Sequence, residues 1–128
     1  MAREFTVDVD GAEYIGTTAN AKNQLEALHL CMKTAYVTFL EEGKDYSDMG
    51  VVGAFVNMPF DQVQKLEKLL VSGNVLRRQD EVPVAPNLFV DDIHNYYLLI
   101  HRVLRENLGG FWKLQRPTSA KAVEQTKR

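Results

Sequence analysis

The three histidines are the side chains best suited to chemistry, since imidazole titrates near neutral pH and binds transition metals. His94 and His101 lie seven residues apart in a segment with helical periodicity. At about 1.5 Å per residue they are roughly 10 Å apart along the helix axis. Two ligands of one metal from a single helix are instead expected three or four residues apart. Asp91 and His94 have that spacing, but the sequence offers no third ligand nearby, so we predict surface histidines and no metal site.

The single cysteine and the carboxylate pairs show no arrangement typical of a catalytic site. Cys31 follows His29 by two residues, which points the two side chains to different faces of a helix, so we expect a buried thiol. Capping and solvation explain the adjacent carboxylates at predicted helix ends and in a loop: Glu41-Glu42, Asp80-Glu81 and Asp91-Asp92. Because no general acid is paired with a base, we predict no catalytic residues and no enzyme activity.

The glycine spacing indicates no cofactor. Gly50-x-x-Gly53 and Gly109-Gly110 match neither the phosphate-binding loop nor the dinucleotide fingerprint. Both of those motifs need further glycines or a lysine at fixed offsets after a strand. We therefore expect no nucleotide and no other cofactor.

The composition is that of an ordinary globular protein. Of the 128 residues, 45% are hydrophobic and 25% charged, and 15 basic against 17 acidic residues give a net charge of −2. These values fit one domain and exclude a membrane span or a disordered acidic chain. A lone cysteine excludes an internal disulfide, and no apolar stretch resembling a signal peptide follows the first residues, so we expect a reducing cytoplasm.

Charge is distributed unevenly along the chain. Residues 115–128 hold four basic and one acidic side chain, a charge of +3, which leaves −5 for residues 1–114. We expect residues 1–114 to form one globular domain and residues 115–128 to form a mobile basic tail, because the tail has no periodic apolar pattern. Arg77, Arg78 and the tail could contact phosphates. The negative body and the absence of a basic stripe interleaved with aromatic residues nevertheless argue against nucleic-acid binding.

Residues 4–17 carry the strongest local signal in the sequence. Apolar residues alternate with polar ones up to Asp10-Gly11, a dipeptide typical of a two-residue hairpin turn. The register that this turn predicts sets the apolar residues on one face: Val9 opposite Ala12, Val7 opposite Tyr14 and Phe5 opposite Gly16. Since an isolated ribbon is marginal in water, we expect it to dock on helices or to extend a sheet from another copy of the chain.

The rest of the domain, residues 18–114, has the apolar period of helices. The predicted fold class is therefore mainly α (α+β), with a two-stranded hairpin followed by four to five helices in one compact domain. The first predicted helix has about twenty residues. It begins at Thr18 or Asn20, runs through Leu40 and is closed by Gly43.

Two shorter helices are predicted next. The first covers residues 49–57 and is capped by Ser47 or Asp48. The second covers residues 59–72, has Phe60 on its inner face, and is bounded by Pro59 and Gly73.

A last predicted helix follows a loop over residues 74–86 that contains at most a short extended segment. The helix begins near residue 87 or 91 and ends at residue 108, and its apolar stripe includes Ile93. Gly109-Gly110 is predicted to stop it.

The chain has more large apolar side chains than a small helical domain needs to bury. Methionine and aromatic residues are enriched in binding surfaces, and methionine adapts to several partner shapes. Phe111 and Trp112, which follow the predicted glycine stop, either fold back onto the helix or join an interface. We expect the partner-binding surface to be drawn from the hairpin face and the surplus residues: Phe5, Val7, Tyr14, Met49, Phe55, Met58, Phe111 and Trp112.

The order of these elements and two stretches of sequence resemble a known family. The first stretch is Val-Asp-Gly-x-x-Tyr at residues 9–14. The second is the terminal helix, with Asn-Leu-Phe at 87–89, Val-Leu-x-x-Asn at 103–107 and Phe-Trp at 111–112. Over residues 4–114 the chain is similar to the tail assembly chaperones of long-tailed bacteriophages, in particular those of HK97-like siphophages.

The resemblance implies a non-catalytic protein. Such chaperones coat the tape measure protein in the host cytoplasm, help to recruit tail tube subunits, and are absent from the mature virion. A longer, frameshifted form is common, and the region from Gln115 would then be the join to its extension. The expected partners are the tape measure protein, the tail tube protein, further copies of the chain and its longer form, with no nucleic acid and no membrane.

Two other functions fit parts of the sequence. Another phage morphogenesis component, such as a head-tail connector or a tail terminator, would form a fixed ring that stays in the virion. A small nucleic-acid-associated regulatory module would act through the basic residues 115–128.

Overall fold

The N-terminal segment forms the predicted hairpin. The computed structural model describes residues 2–40 and 46–120, and its strands β1 (Glu4–Val9) and β2 (Ala12–Thr17) pair antiparallel. Asp10 and Gly11 have φ values of 51° and 82°, and a type I′ turn requires positive φ at both positions. The predicted register is confirmed: Val9 lies opposite Ala12, Val7 opposite Tyr14 and Phe5 opposite Gly16.

A third strand completes the sheet. The extended segment within residues 74–86 is β3 (Val75–Arg77), which pairs antiparallel with β2 and gives the strand order β1-β2-β3. One edge of the hairpin is therefore covered by the same chain. Among the described residues, β1 remains an edge strand.

The first helix is shorter than predicted. Helix α1 (Ala21–Met32) begins after Asn20, whose side chain accepts a hydrogen bond from the backbone N–H of Asn23, and a separate 3₁₀ segment covers Ala35–Leu40. The single helix of about twenty residues is wrong because the Thr34 hydroxyl bonds to the carbonyl of Cys31 and to the backbone N–H of Tyr36. Local bonds of this kind compete with helical ones. The predicted cap at Gly43 lies outside the described residues.

The next two helices follow the predicted order. Helix α2 (Asp48–Asn57) is capped by Ser47, whose hydroxyl accepts a hydrogen bond from the backbone N–H of Gly50. Helix α3 (Phe60–Leu66) begins after Pro59, continues as a π-helical turn over Glu67–Val71, and is followed by Gly73 with a φ of 79°. The inward position predicted for Phe60 is wrong: its side chain is 67% exposed, because it is the first residue of α3 and burial begins one turn later.

The last helix runs through its predicted stop. Helix α4 (Ile93–Ala120) continues across Gly109-Gly110, and neither glycine adopts a positive φ. Glycine lowers helix stability by about 1 kcal/mol relative to alanine. Buried Leu108 and half-buried Phe111 pack against the core on either side of the pair, and this packing outweighs the weak local signal.

The two ends of α4 also differ from the prediction. A 3₁₀ segment at Pro86–Phe89 and Asp91, with a φ of 75°, precede the helix, so that Ile93 is its first residue and is 73% exposed instead of inward. At the other end, residues 115–120 of the predicted tail continue α4, and residues 121–128 lie outside the described residues.

One core joins the sheet to the helices. Phe5 and Tyr14 from the sheet and Tyr36, Phe55 and Leu99 from the helical side are each at most 6% exposed. The ribbon therefore docks on helices, with α4 packing against β1, α2 and the segment after α3. Opposite Phe5 only glycine fits, because a Cβ on Gly16 would lie 2.6 Å from the Phe5 ring. No helix in the described part of the chain is long and apolar enough to cross a membrane.

Candidate functional site

The residues predicted to bind partners fall into covered and uncovered groups. Met49, in the first turn of α2, is 79% exposed. Phe111 is half-buried, and the side chain of Trp112 is outside the described set. The other five are at most 9% exposed: Phe5, Val7 and Tyr14 on the inner face of the sheet, Phe55 on the inward side of α2, and Met58 at its end. Partner binding by these eight residues stays a prediction, and Met49 presents the most surface among those described.

Helix α2 is apolar on both its inner and its outer side. Between Asp48 and Asn57 every residue is apolar or glycine, although a helix at a protein surface normally carries polar residues on its outer side. Val51 and Phe55 face the core. The opposite side, here called the α2 outer face, has the spacing i, i+3, i+4, i+7 and consists of Met49, Val52, Gly53 and Val56.

A groove of about 560 Å³ runs beside the α2 outer face. One wall comes from the end of α1 and the 3₁₀ segment, with Lys33, Thr34, Tyr36 and Phe39. The other wall comes from α2 and the residues after it: Met49, Gly50, Gly53, Ala54, Asn57, Met58 and Pro59. The groove and the outer face share Met49 and Gly53, so they form one continuous, mainly apolar surface.

The two glycines of α2 have different surroundings. A Cβ on Gly50 would lie 3.2 Å from the Ser47 hydroxyl and 3.4 Å from the Phe39 ring, which are contacts within the chain. A Cβ on Gly53 would have nothing within 4 Å. Gly53 therefore leaves open space along the groove, where the backbone of another polypeptide can approach closely.

A buried aromatic cluster holds α2 against the core. The ring of Phe55 lies 4.3 Å from that of Tyr36 and 5.3 Å from that of Tyr97, measured between centroids. The Tyr36 hydroxyl lies 2.7 Å from Nδ1 of His101. Close packing of this kind fixes the orientation of α2, and with it the direction of its outer face.

The surface position predicted for the histidines is correct for His29 and His94 and wrong for His101, which Tyr36 covers. Burial, aided by the charges of Arg105 and Arg102, lowers the pKa of His101 to about 4. Burial also holds the pKa of Tyr36 well above its usual value. At neutral pH the imidazole is therefore uncharged, and its tautomer sets which of the Tyr36 hydroxyl and Nδ1 is the donor in their hydrogen bond.

A second apolar surface lies between α3 and the start of α4. Exposed Phe60 and Ile93 line a cavity of about 250 Å³, here called the α3–α4 groove, together with Val63, Gln64, Glu67, Pro86, Tyr96 and Tyr97. The Tyr96 hydroxyl donates a hydrogen bond to the Glu67 carboxylate. Burial raises the pKa of Glu67.

The reactive side chains do not converge on either surface. Cys31 is fully buried, as predicted, and burial raises its pKa to about 12, so that it stays a thiol at neutral pH. Within residues 2–40 and 46–120, no three His, Cys, Asp or Glu side chains are arranged to hold a metal ion. What the described surfaces offer is mainly apolar contact area, with the Glu67 carboxylate in the α3–α4 groove.

A small, mainly helical domain with a whole helix face and a groove left apolar is typical of proteins that bind other polypeptides. The family model described as phage tail assembly chaperone protein matches residues 10–119. The chain belongs to this family, so the resemblance to tail assembly chaperones seen in its sequence is confirmed. No curated protein and no solved structure matches the chain.

Sequence periodicity misses the exposed walls of the α3–α4 groove for an identifiable reason. Phe60 and Ile93 are the first residues of α3 and α4, where helical period assigns a residue to a face but the core does not yet reach it. The α2 outer face left a clearer signal, since the run Met-Gly-Val-Val-Gly-Ala-Phe-Val at 49–56 contains no polar residue. A helix without a polar side must be buried on all sides or bind something.

Proposed function

We propose that this tail assembly chaperone binds the tape measure protein in the host cytoplasm and recruits tail tube subunits to it. In this proposal the chain is a non-catalytic escort that is absent from the mature virion. Beside the family membership, the observation that carries the proposal is the wholly apolar α2 outer face, on which Met49 and Val56 are 79% and 67% exposed.

The chemistry of this face suits a long helical client. An amphipathic helix binds by laying its apolar side along an apolar groove, with contacts at the spacing found on α2. The exposed Met49 and Val56 would contribute about 1.5–3 kcal/mol each on full burial. The entropy lost on association offsets much of this gain, so a single copy binds weakly. Many copies along one client would bind tightly through avidity.

Self-association would supply these repeated contacts. The proposal includes two further partners by analogy with such chaperones: the tail tube protein and a longer, frameshifted form of the chain. In the longer form the extension would begin in the region after Gln115 and would place a second binding segment beside the first.

Co-expression with a tagged tape measure protein tests the proposal. We expect the wild-type chain to copurify with it, and the double variant Met49→Lys, Val56→Lys to be reduced about tenfold, because two charges would be brought against an apolar client. The matched control is Leu25→Lys, Val90→Lys, which adds the same charges at residues that are 58% and 67% exposed elsewhere on the surface.

Recruitment needs a second measurement. Purified tail tube protein should bind the tape measure protein when the chaperone is present and should not bind it otherwise. Equal copurification of both double variants would refute the role of the α2 outer face, and no copurification of the wild type would refute tape measure binding.

A further inference from the structure

The α3–α4 groove holds a carboxylate in mainly apolar surroundings. Glu67 lines the groove and accepts a hydrogen bond from Tyr96. Burial raises its pKa, as expected for a carboxylate that lacks a compensating positive charge. No lysine or arginine within the described ranges forms an ion pair with it. A partly buried carboxylate without an ion-pair partner is stabilised when it forms a charge-assisted hydrogen bond with a cation.

The remaining walls of the groove suit a long basic side chain. Phe60 and Ile93, exposed by 67% and 73%, offer apolar surface for its methylene groups. Tyr96 and Tyr97, whose ring centroids are 6.4 Å apart, also line the groove and place aromatic side chains near the cation. The cavity of about 250 Å³ is smaller than the roughly 300–1,000 Å³ of most small-molecule sites, so it fits one side chain better than a cofactor.

The chain carries a segment of complementary charge. Residues 115–128 have a charge of +3, whereas residues 1–114 have a charge of −5. Three of the four basic residues follow the last described residue, Ala120: Lys121, Lys127 and Arg128.

This segment reaches the groove of its own molecule only when it is almost fully extended. The groove lies at the first turns of α4, and the 23 residues from Tyr97 to Ala120 (120 − 97) span about 35 Å at 1.5 Å per residue. The eight residues 121–128, fully extended, span at most about 28 Å. Even with the length of a lysine or arginine side chain added, the segment reaches its own groove only along a straight, fully extended path. The groove of another molecule can be reached without this extension.

We propose that the α3–α4 groove binds a lysine or arginine of residues 121–128 from a second copy of this chain, with Glu67 pairing with the cation. The groove lies at the first turns of α4, whereas residues 121–128 follow its last described residue. Such a contact is heterologous, so successive copies would add head to tail into a ring or an open filament. The inference uses no property of the tape measure protein, and it deepens the self-association that is part of the proposed function, on which it rests.

Sedimentation velocity of the full-length chain over a concentration series tests the contact. In about 50 mM salt we expect association, and in about 500 mM salt we expect it to weaken strongly, because the contact is an ion pair. Glu67→Gln, which keeps a hydrogen-bond acceptor for Tyr96, should raise the concentration needed for association about tenfold. The matched control Glu26→Gln removes a charge from exposed α1 and should leave association unchanged.

Mixing two variants tests the head-to-tail geometry. Lys121→Glu, Lys127→Glu, Arg128→Glu removes the basic side chains but keeps the groove, and Glu67→Gln alters the groove but keeps the basic side chains. Each variant alone should stay monomeric at concentrations where the wild type associates. Together they should form a complex of two chains and nothing larger, since only one groove and one basic segment remain complementary.

Several outcomes would overturn the proposal. It fails if the wild type stays monomeric at low salt, or if Glu67→Gln or the triple variant associates as the wild type does. If Glu67→Gln lowers the melting temperature, a second variant replaces it. The double variant Phe60→Ser, Ile93→Ser changes the exposed walls of the groove and must weaken association. Loss of association with intact tape measure copurification would separate this contact from the function of the α2 outer face.

Discussion

The inner face of the sheet and the α2 outer face are both apolar, but they differ in how far the rest of the chain buries them. Phe5, Val7 and Tyr14 lie under α4 and its neighbours and are at most 9% exposed. Met49 and Val56 have no such cover and are 79% and 67% exposed. The first face therefore stabilises the fold, whereas the second is available to a partner.

This difference shows that apolar character alone does not identify a binding surface. Both faces satisfy the same local criteria of period and residue type. A variant series that separates loss of folding stability from loss of binding can therefore assign each residue to one face or the other.

The largest effect is expected at the covered face. Phe5→Ala should lower the free energy of unfolding by about 3–5 kcal/mol, because the removed ring leaves a cavity in the core. Phe60→Ala makes the same chemical change at a residue that is 67% exposed and should change stability by less than about 1 kcal/mol. Urea unfolding followed by circular dichroism measures both free energies of unfolding. Similar decreases for the two variants would contradict the difference in burial between Phe5 and Phe60.

An effect of pH is expected from the cluster beneath α2. His101 has a pKa of about 4 in the folded chain against 6.5 ordinarily, so between these values the unfolded chain binds a proton that the folded chain does not. Stability is then fully present above pH 6.5 and falls as the pH drops, by up to about 3 kcal/mol near pH 4.

The variant His101→Gln isolates this term. It should reduce the difference in unfolding free energy between pH 6.5 and pH 4. His94→Gln, at an exposed histidine, should show the same dependence of unfolding free energy on pH as the wild type. Parallel curves for the wild type and His101→Gln would show that burial of the imidazole does not determine the acid sensitivity.

A smaller effect of opposite sign is expected at Gly53. Because a Cβ there meets nothing in the chain, Gly53→Ala should raise the free energy of unfolding by up to about 1 kcal/mol through helix propensity. The same methyl group would occupy the open space along the groove and should weaken copurification with the tape measure protein. Gly50→Ala should give a smaller gain in stability, because the added Cβ would lie close to Ser47 and Phe39. A more stable Gly53→Ala variant with unchanged binding would exclude close approach at this glycine.

The smallest effect on stability is expected at Met49. Met49→Ser removes an exposed side chain and should change the free energy of unfolding by less than about 0.5 kcal/mol. Its copurification with the tape measure protein should nevertheless fall several-fold, since the apolar contact is lost. A large loss of stability would instead place Met49 in the core.

Sequence reasoning succeeded where the physical cause is local. The hairpin with its register, the caps at Asn20 and Ser47, and the mainly helical fold class all follow from turn chemistry, capping and periodicity. It failed where a longer-range contact overrides a local signal. The helix continues through Gly109-Gly110 because residues on both sides pack against the core.

The sheet face and the two sides of α2 also depend partly on local sequence and partly on long-range contacts. Alternation and period depend on neighbours in the chain, so the amino-acid order is sufficient to sort residues onto one side of a strand or a helix. The cover over each side depends on pairs far apart in sequence, such as Tyr36 with His101, which are 65 residues apart. Such contacts exist only once the chain has folded, and they alone leave Met49 outside while burying Phe55 on the same helix.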